Sequence, residues 1–192
     1  AFGYGHIARC HALLQAFHEI NVSCELIING DASVSRVLGD NKPVLFDWLS
    51  NAKGLLSRID HENAILIIDS YMASYENLKL YSSHCNKVVF LDDHGRTDYP
   101  EGLIVAPTNF VDLLDLPFDE NRDIIKGSQY ILLRQPFWKK KSVRPINDHI
   151  ASIMIMMGGT DIRDLTKQIL ELTLLEFPES QISVVYNKPD LE

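Results

Sequence analysis

Four short, mainly apolar runs, at 64–68, 87–91, 102–106 and 151–157, constrain this chain more than any other feature. None alternates apolar with polar residues as a strand with one wet face does. Each therefore reads as a strand covered on both faces, the mark of a parallel sheet. Helical spacing fills the intervals. Ala8, Leu13, Ala16, Phe17 and Ile20 make a stripe over 7–20, and Trp48, Leu49, Leu55, Leu56 and Ile59 make another over 48–59. Further helices are expected at 75–85 and 162–177, with weaker elements at 24–28, 32–38, 44–46 and 181–186. Strands and helices alternating at this interval predict an α/β fold.

The residues at the end of each run matter as much as the run itself. In open parallel sheets the ligand crevice lies outside the carboxyl ends of the strands. Asp69-Ser70-Tyr71 comes after the first run, Asp92-Asp93-His94-Gly95 after the second, and Gly158-Gly159-Thr160-Asp161 after the last. Near the start, Gly3-Tyr4-Gly5-His6 leads into the 7–20 helix. Paired glycines permit a tight turn and close approach of a ligand, and a helix start favours an anion such as phosphate. His6 at that place fits proton transfer near a phosphosugar, with Arg9 one turn further adding charge. It equally fits a solvent-facing histidine capping a tight turn.

The other motifs carry similar pairs of readings. Asp69 suits orienting a histidine, binding a sugar hydroxyl, or capping the following helix. Asp92 and Asp93 suit acid–base work, a divalent metal completed by His94, or a cap on their own loop. Gly158-Gly159-Thr160-Asp161 offers backbone donors and a hydroxyl to a phosphate, or simply an N-cap. His11, His18, His61, His84 and His149 have no partner spacing and read as surface or helix-face residues. Met154, Met156 and Met157 read as core.

Composition narrows the function classes. A net charge of −8 with no basic stripe argues against a nucleic-acid surface. Lys139-Lys140-Lys141 with Arg144 lies between prolines and reads as a linker. Cys10, Cys24 and Cys85 show no metal-ligand spacing and fit reduced thiols in the cytoplasm. No apolar run reaches the length of a membrane span. Because a glycine turn of this kind normally comes after a buried strand, the chain is expected to be a fragment lacking its first strand. Strand, glycine turn and helix recur from about residue 150, so the expected division is a first domain at 1–147 and a truncated second at 148–192.

Taken in order, five motifs carry a resemblance. They are Gly-Tyr-Gly-His-Ile-x-Arg at Gly3 to Arg9, Ile-Asp-Ser-Tyr at Ile68 to Tyr71, and Leu-Asp-Asp at Leu91 to Asp93. Gly-x-x-Tyr-x-Leu-Leu-Arg-x-x-Phe at Gly127 to Phe137 and Met-Gly-Gly-Thr-Asp at Met157 to Asp161 complete them. The chain resembles the UDP-2,4-diacetamido-2,4,6-trideoxy-β-L-altropyranose hydrolases of bacterial pseudaminic acid biosynthesis, from Gly3 to about Thr173. That resemblance implies a GT-B glycosyltransferase-like architecture, with a Rossmann-like parallel-sheet domain and the start of a second. It implies inverting attack of water on the anomeric carbon of a UDP-sugar, with His6 as base. It further implies Gly5, Arg9, Asp69, Tyr71, Asp93, Arg134, Gly159 and Thr160 as substrate-binding residues, and no metal or cofactor. A cytoplasmic enzyme, monomeric when full length, is the corresponding expectation. A glycosyltransferase of the same architecture and a non-catalytic nucleotide-sugar-binding module are the alternatives.

Overall fold

The structure is a computed structural model that describes residues 5–39, 41–95, 98–110, 123–139, 148–157, 161 and 163–186. The described residues form two compact units, Gly5–Lys139 and a second drawn from 148–186.

The first unit opens with α1 (Gly5–Glu19). Next comes a small parallel pair, β1 (Ile27–Ile28) and β2 (Val44–Leu45), joined through a 3-10 turn and the short α2 (Ser35–Leu38). After α3 (Ala52–Leu56) comes the main sheet. Its four strands are β3 (Ile65–Ile68), β4 (Lys87–Leu91), β5 (Leu103–Ala106) and β6 (Ile124–Lys126), all parallel and in chain order, with α4 (Tyr75–His84) crossing from β3 to β4. This is an α/β protein with parallel sheets, Rossmann-like in general character.

The period of two along each strand sorts the side chains to opposite faces. Ile68, Val88, Phe90 and Ile104 pack with Ala52, Leu55 and Leu56 of α3 and Leu78 and Tyr81 of α4, forming the main core. Tyr81 is fully buried, and its hydroxyl donates to the Trp48 carbonyl at 3.0 Å, so the buried phenol keeps a partner. Gly102 introduces β5 with φ +151°, and a Cβ there would stand 2.7 Å from the Phe90 ring. On the opposite face, Ile67, Val89, Leu91 and Val105 meet Leu13 of α1 and residues 129–132 around an apolar slot of about 330 Å³.

Several expectations change in detail. The helix expected over 48–59 forms only at Ala52–Leu56, where Asn51 accepts from the Gly54 N–H. Trp48 and Leu49 still reach the core, but from turns. β6 has no apolar run to announce it: its three residues are placed by pairing with β5. Ile65, expected to be covered, is 59 % exposed, because it begins the edge strand β3. Of the histidines expected at the surface or on a helix face, His11 is on a helix face and is buried there: it lies on the side of α1 that meets α2, where its Nε2 accepts from Asn41 Nδ2 at 3.0 Å.

In the second unit, β7 (Ser152–Met156) and β8 (Gln181–Val185) pair in parallel and are connected by α5 (Thr166–Glu176). Ile155 is buried, whereas Met154 and Met156, expected in a core, are 70 % and 61 % exposed. The alternation is that of a sheet with one covered face. Among the described residues, no helix is long and apolar enough to cross a membrane.

Candidate functional site

Helical geometry puts His6, Arg9, Cys10 and Leu13 on one face of α1, since residues three and four apart stack. Leu13 sits over the apolar slot, and the three polar residues lie beyond it toward the carboxyl ends of β3 and β4. Asp69 comes directly after β3, and Asp93 stands two residues after β4. A parallel register brings both strand ends to the same edge of the sheet. There the charges meet.

The Asp69 side chain is fully buried and bonded on both oxygens. His6 Nδ1 lies 2.6 Å from Oδ1, while Arg9 donates from Nη2 to Oδ1 at 2.6 Å and from Nε to Oδ2 at 2.7 Å. The Arg9 Nη1 group then reaches Asp93 Oδ2 at 2.8 Å. Asp93 Oδ1 accepts from the Tyr71 hydroxyl and lies 2.8 Å from His94 Nδ1. The Tyr71 ring stands edge-on to both imidazoles, with centroids 4.3 Å from His6 and 6.3 Å from His94.

Burial alone would raise the Asp69 carboxyl, but hydrogen bonds from His6 and Arg9 outweigh it and hold the group below the ordinary carboxylate range. Asp93 is held well below that range in the same way, against burial, by Tyr71, His94 and the Arg9 charge. The Arg9 guanidinium is lowered by burial but raised further by its two carboxylates, so it stays protonated. Burial, with the bond to and charge of Asp93 next, pushes the Tyr71 hydroxyl up. The Cys10 thiol, 3.7 Å from Asp69 Oδ2, is pushed up to about 12, first by burial and then by the neighbouring carboxylate.

With Asp69 ionised, it can only accept, so the proton of the pair resides on His6 Nδ1. In the neutral imidazole Nε2 then carries the lone pair, on a ring 30 % exposed. A buried acid, an imidazole oriented by it and a phenol alongside form a site able to remove a proton from water or a hydroxyl.

The adjacent aspartates divide their work. Asp92 is fully buried, and its Oδ1 accepts the backbone N–H groups of His94 and Gly95, both at 2.9 Å. The other oxygen of Asp92, Oδ2, has no hydrogen-bond partner. Asp92 is thus the loop cap, and Asp93 is the residue turned to the cluster. Among the described residues, no group of three or more histidine, cysteine or acidic side chains is arranged to hold a metal ion.

Of the residues singled out from the sequence, His6, Arg9, Asp69, Tyr71 and Asp93 come together. Gly5 begins α1, and the space where its Cβ would stand is open to at least 4 Å. Arg134 is not among the groups bonded to Asp69 and Asp93: it is exposed, 5.8 Å from the Phe137 ring centroid and close enough for its charge to act on His11. Gly159 and Thr160 lie outside the described residues. Asp161 accepts from the Leu165 and Thr166 N–H groups at the start of α5, as an N-terminal cap does. Sequence reasoning left His94 only as a metal ligand and gave Cys10 no place in the site. The His6-Arg9-Cys10 spacing on one helix was the available signal for the thiol.

No protein-family model matches the chain. An uncharacterized protein of Methanocaldococcus jannaschii is similar to it, at 26 % identity over 194 residues that cover 95 % of this chain. The chain spans 40 % of that relative's length.

Proposed function

We propose that this chain carries the water-activating part of a nucleotide-sugar hydrolase. The observation that carries the proposal is the 2.6 Å contact between His6 Nδ1 and the buried, ionised Asp69, which leaves Nε2 as the base. Water attacks the anomeric carbon as the bond from that carbon to the phosphate oxygen breaks. The electron pair leaves with UDP, the water proton passes to His6 Nε2, and the configuration inverts. UDP departs as a stable anion, so catalysis lies mainly in placing the water and removing its proton.

The substrate class, a UDP-linked diacetamido-trideoxy sugar, comes from the resemblance, as does a GT-B type of fold. Gly5, Tyr71, Arg134, Gly159 and Thr160 contact the substrate in this scheme, and the open space beside Gly5 supports its share. Arg9 acts through Asp69 and Asp93, on which all three of its nitrogens are engaged. The reaction needs no cofactor and no metal, and the enzyme works in the cytoplasm as a monomer.

The experiment is UDP release from the UDP-sugar in plain buffer, with the first-formed anomer followed by NMR. The expected result is stoichiometric UDP and free sugar of inverted configuration. His6→Ala is expected to lower kcat by roughly 10²–10⁴-fold with little change in KM. Intact UDP-sugar in the absence of an acceptor would point to a transferase instead. Undiminished turnover by His6→Ala would remove the histidine from the reaction.

A further inference from the structure

The Asp92 side chain shapes the turn that presents Asp93. The Asp92 backbone N–H donates to the Val105 carbonyl at 2.9 Å, which carries the β4–β5 ladder one residue past β4. Its Oδ1 then accepts the N–H groups of His94 and Gly95, each at 2.9 Å, and closes a tight turn around Asp93. Gly95 ends that turn at φ +64°, the left-handed region that glycine enters most easily. The Asp92 side chain is fully buried, so the turn is anchored in the protein and not laid on its surface.

From this turn Asp93 reaches His6 by two routes. Its Oδ2 holds Arg9 Nη1 at 2.8 Å, and Arg9 forks onto Asp69, whose Oδ1 lies 2.6 Å from His6 Nδ1. Its Oδ1 accepts the Tyr71 hydroxyl, and the Tyr71 ring stands edge-on to the His6 imidazole with centroids 4.3 Å apart. One carboxylate thus bears on both the acid that orients the imidazole and the ring beside it.

We propose that Asp92 is a positioning residue for the His6 base, acting through Asp93, an assignment whose effect on turnover rests on the hydrolase reading. A base must sit within hydrogen-bond reach of the water it deprotonates, and a displacement of about 1 Å can cost roughly 10²-fold in rate. Without the Oδ1 acceptor, two N–H groups lose their partner, and the turn is free to carry Asp93 away from Arg9 and Tyr71. Only Oδ1 is engaged: among the described residues the buried Oδ2 has no hydrogen-bond partner. Asparagine at this position keeps the one acceptor that the turn uses.

The test compares Asp92→Ala, Asp92→Asn and Gly95→Val, the last straining the same turn from its far end with Asp92 intact. Urea midpoints establish that each variant folds. Asp92→Ala and Gly95→Val are expected to lower kcat for UDP release by roughly 10²-fold with KM within about twofold, and Asp92→Asn to recover about tenfold of that loss. In an Asp93→Ala background, Asp92→Ala should cost no more than about twofold further, because both act along one chain of contacts. NMR reads the positioning without substrate: the ring-current shift that Tyr71 imposes on the carbon-bound protons of His6 should shrink in Asp92→Ala and persist in Asp92→Asn. Unchanged His6 shifts and kcat in a folded Asp92→Ala, or losses that multiply in the double variant, would overturn the assignment. Where Asp92→Ala does not fold, Gly95→Val decides in its place by the same two readouts. If the wild type releases no UDP, the hydrolase reading falls, and the His6 shifts alone then uphold or overturn the positioning by Asp92.

Discussion

Arg9 and Asp69, 60 positions apart, meet in a forked pair, with Nε to Oδ2 at 2.7 Å and Nη2 to Oδ1 at 2.6 Å. The third nitrogen of the same guanidinium holds Asp93. A bidentate fork suits arginine geometry and not that of lysine, whose ammonium is a point charge. The pair therefore anchors the N-terminal helix to the ends of two strands.

Removing one partner of a buried ion pair leaves the other uncompensated. Arg9→Met is expected to destabilise the protein by about 3 kcal/mol, the lower end for such pairs. Arg9→Lys should recover part of that loss but not the activity, because it cannot hold both carboxylates. Urea denaturation of the two variants checks the order. Equal stability of wild type and Arg9→Met would mean that α1 is held by its apolar contacts alone.

Asp69 and Asp93 also set an acid limit. Both are held below their ordinary values when folded, whereas in the unfolded chain each titrates near 3.9. Between those values the unfolded chain binds more protons, so stability falls as pH falls. The contribution is complete above about pH 5 and is lost progressively from about pH 4 downward, toward the folded values. Urea midpoints at pH 7 and pH 3 should differ strongly in the wild type and less in Asp93→Asn. A wild type equally stable at both would contradict the ionised cluster.

His11 predicts a separate window. Burial, and after it the Arg134 charge, lowers its proton affinity when folded, and its buried Nδ1 has no hydrogen-bond partner. An unfolded histidine takes a proton near pH 6.5, so the unfolded state binds more protons below that value. The stability linked to neutral His11 is present above pH 6.5 or so and lost as pH falls below it. Replacing Arg134 with Gln should raise the His11 titration point seen by NMR. An unchanged titration would place the arginine charge too far away to act.

Cys10 should be chemically silent while the protein is folded. With its thiol pushed up to about 12, little thiolate exists at pH 8, and an aromatic disulfide reagent should react roughly three orders of magnitude more slowly than with a free thiol. Unfolding in urea should restore ordinary reactivity. Rapid reaction in the native state would show that the site opens around α1.

The division of labour between sequence and tertiary structure comes from how each kind of information is carried. Apolar runs and helical stripes are local, so β4, β5, α1 and the alternation of strand and helix were legible as an α/β parallel sheet. The places of His6, Asp69 and Asp93 at element ends were legible too, because a parallel sheet sends its strand ends to one edge. Burial was less so. Met154 and Ile65 sit in runs as apolar as any other, but one lies in a two-stranded ladder and the other begins an edge strand. Nothing local announced β6, whose three residues become a strand only by pairing with β5. The roles within the cluster were also beyond the sequence. Asp92 and Asp93 are neighbours of identical chemistry, and the alternation of strand residues alone turns one into the protein as a loop cap and the other out to Arg9, Tyr71 and His94. Which carboxylate meets which cation depends on contacts across 60 residues, and those exist only once the sheet and helix have packed.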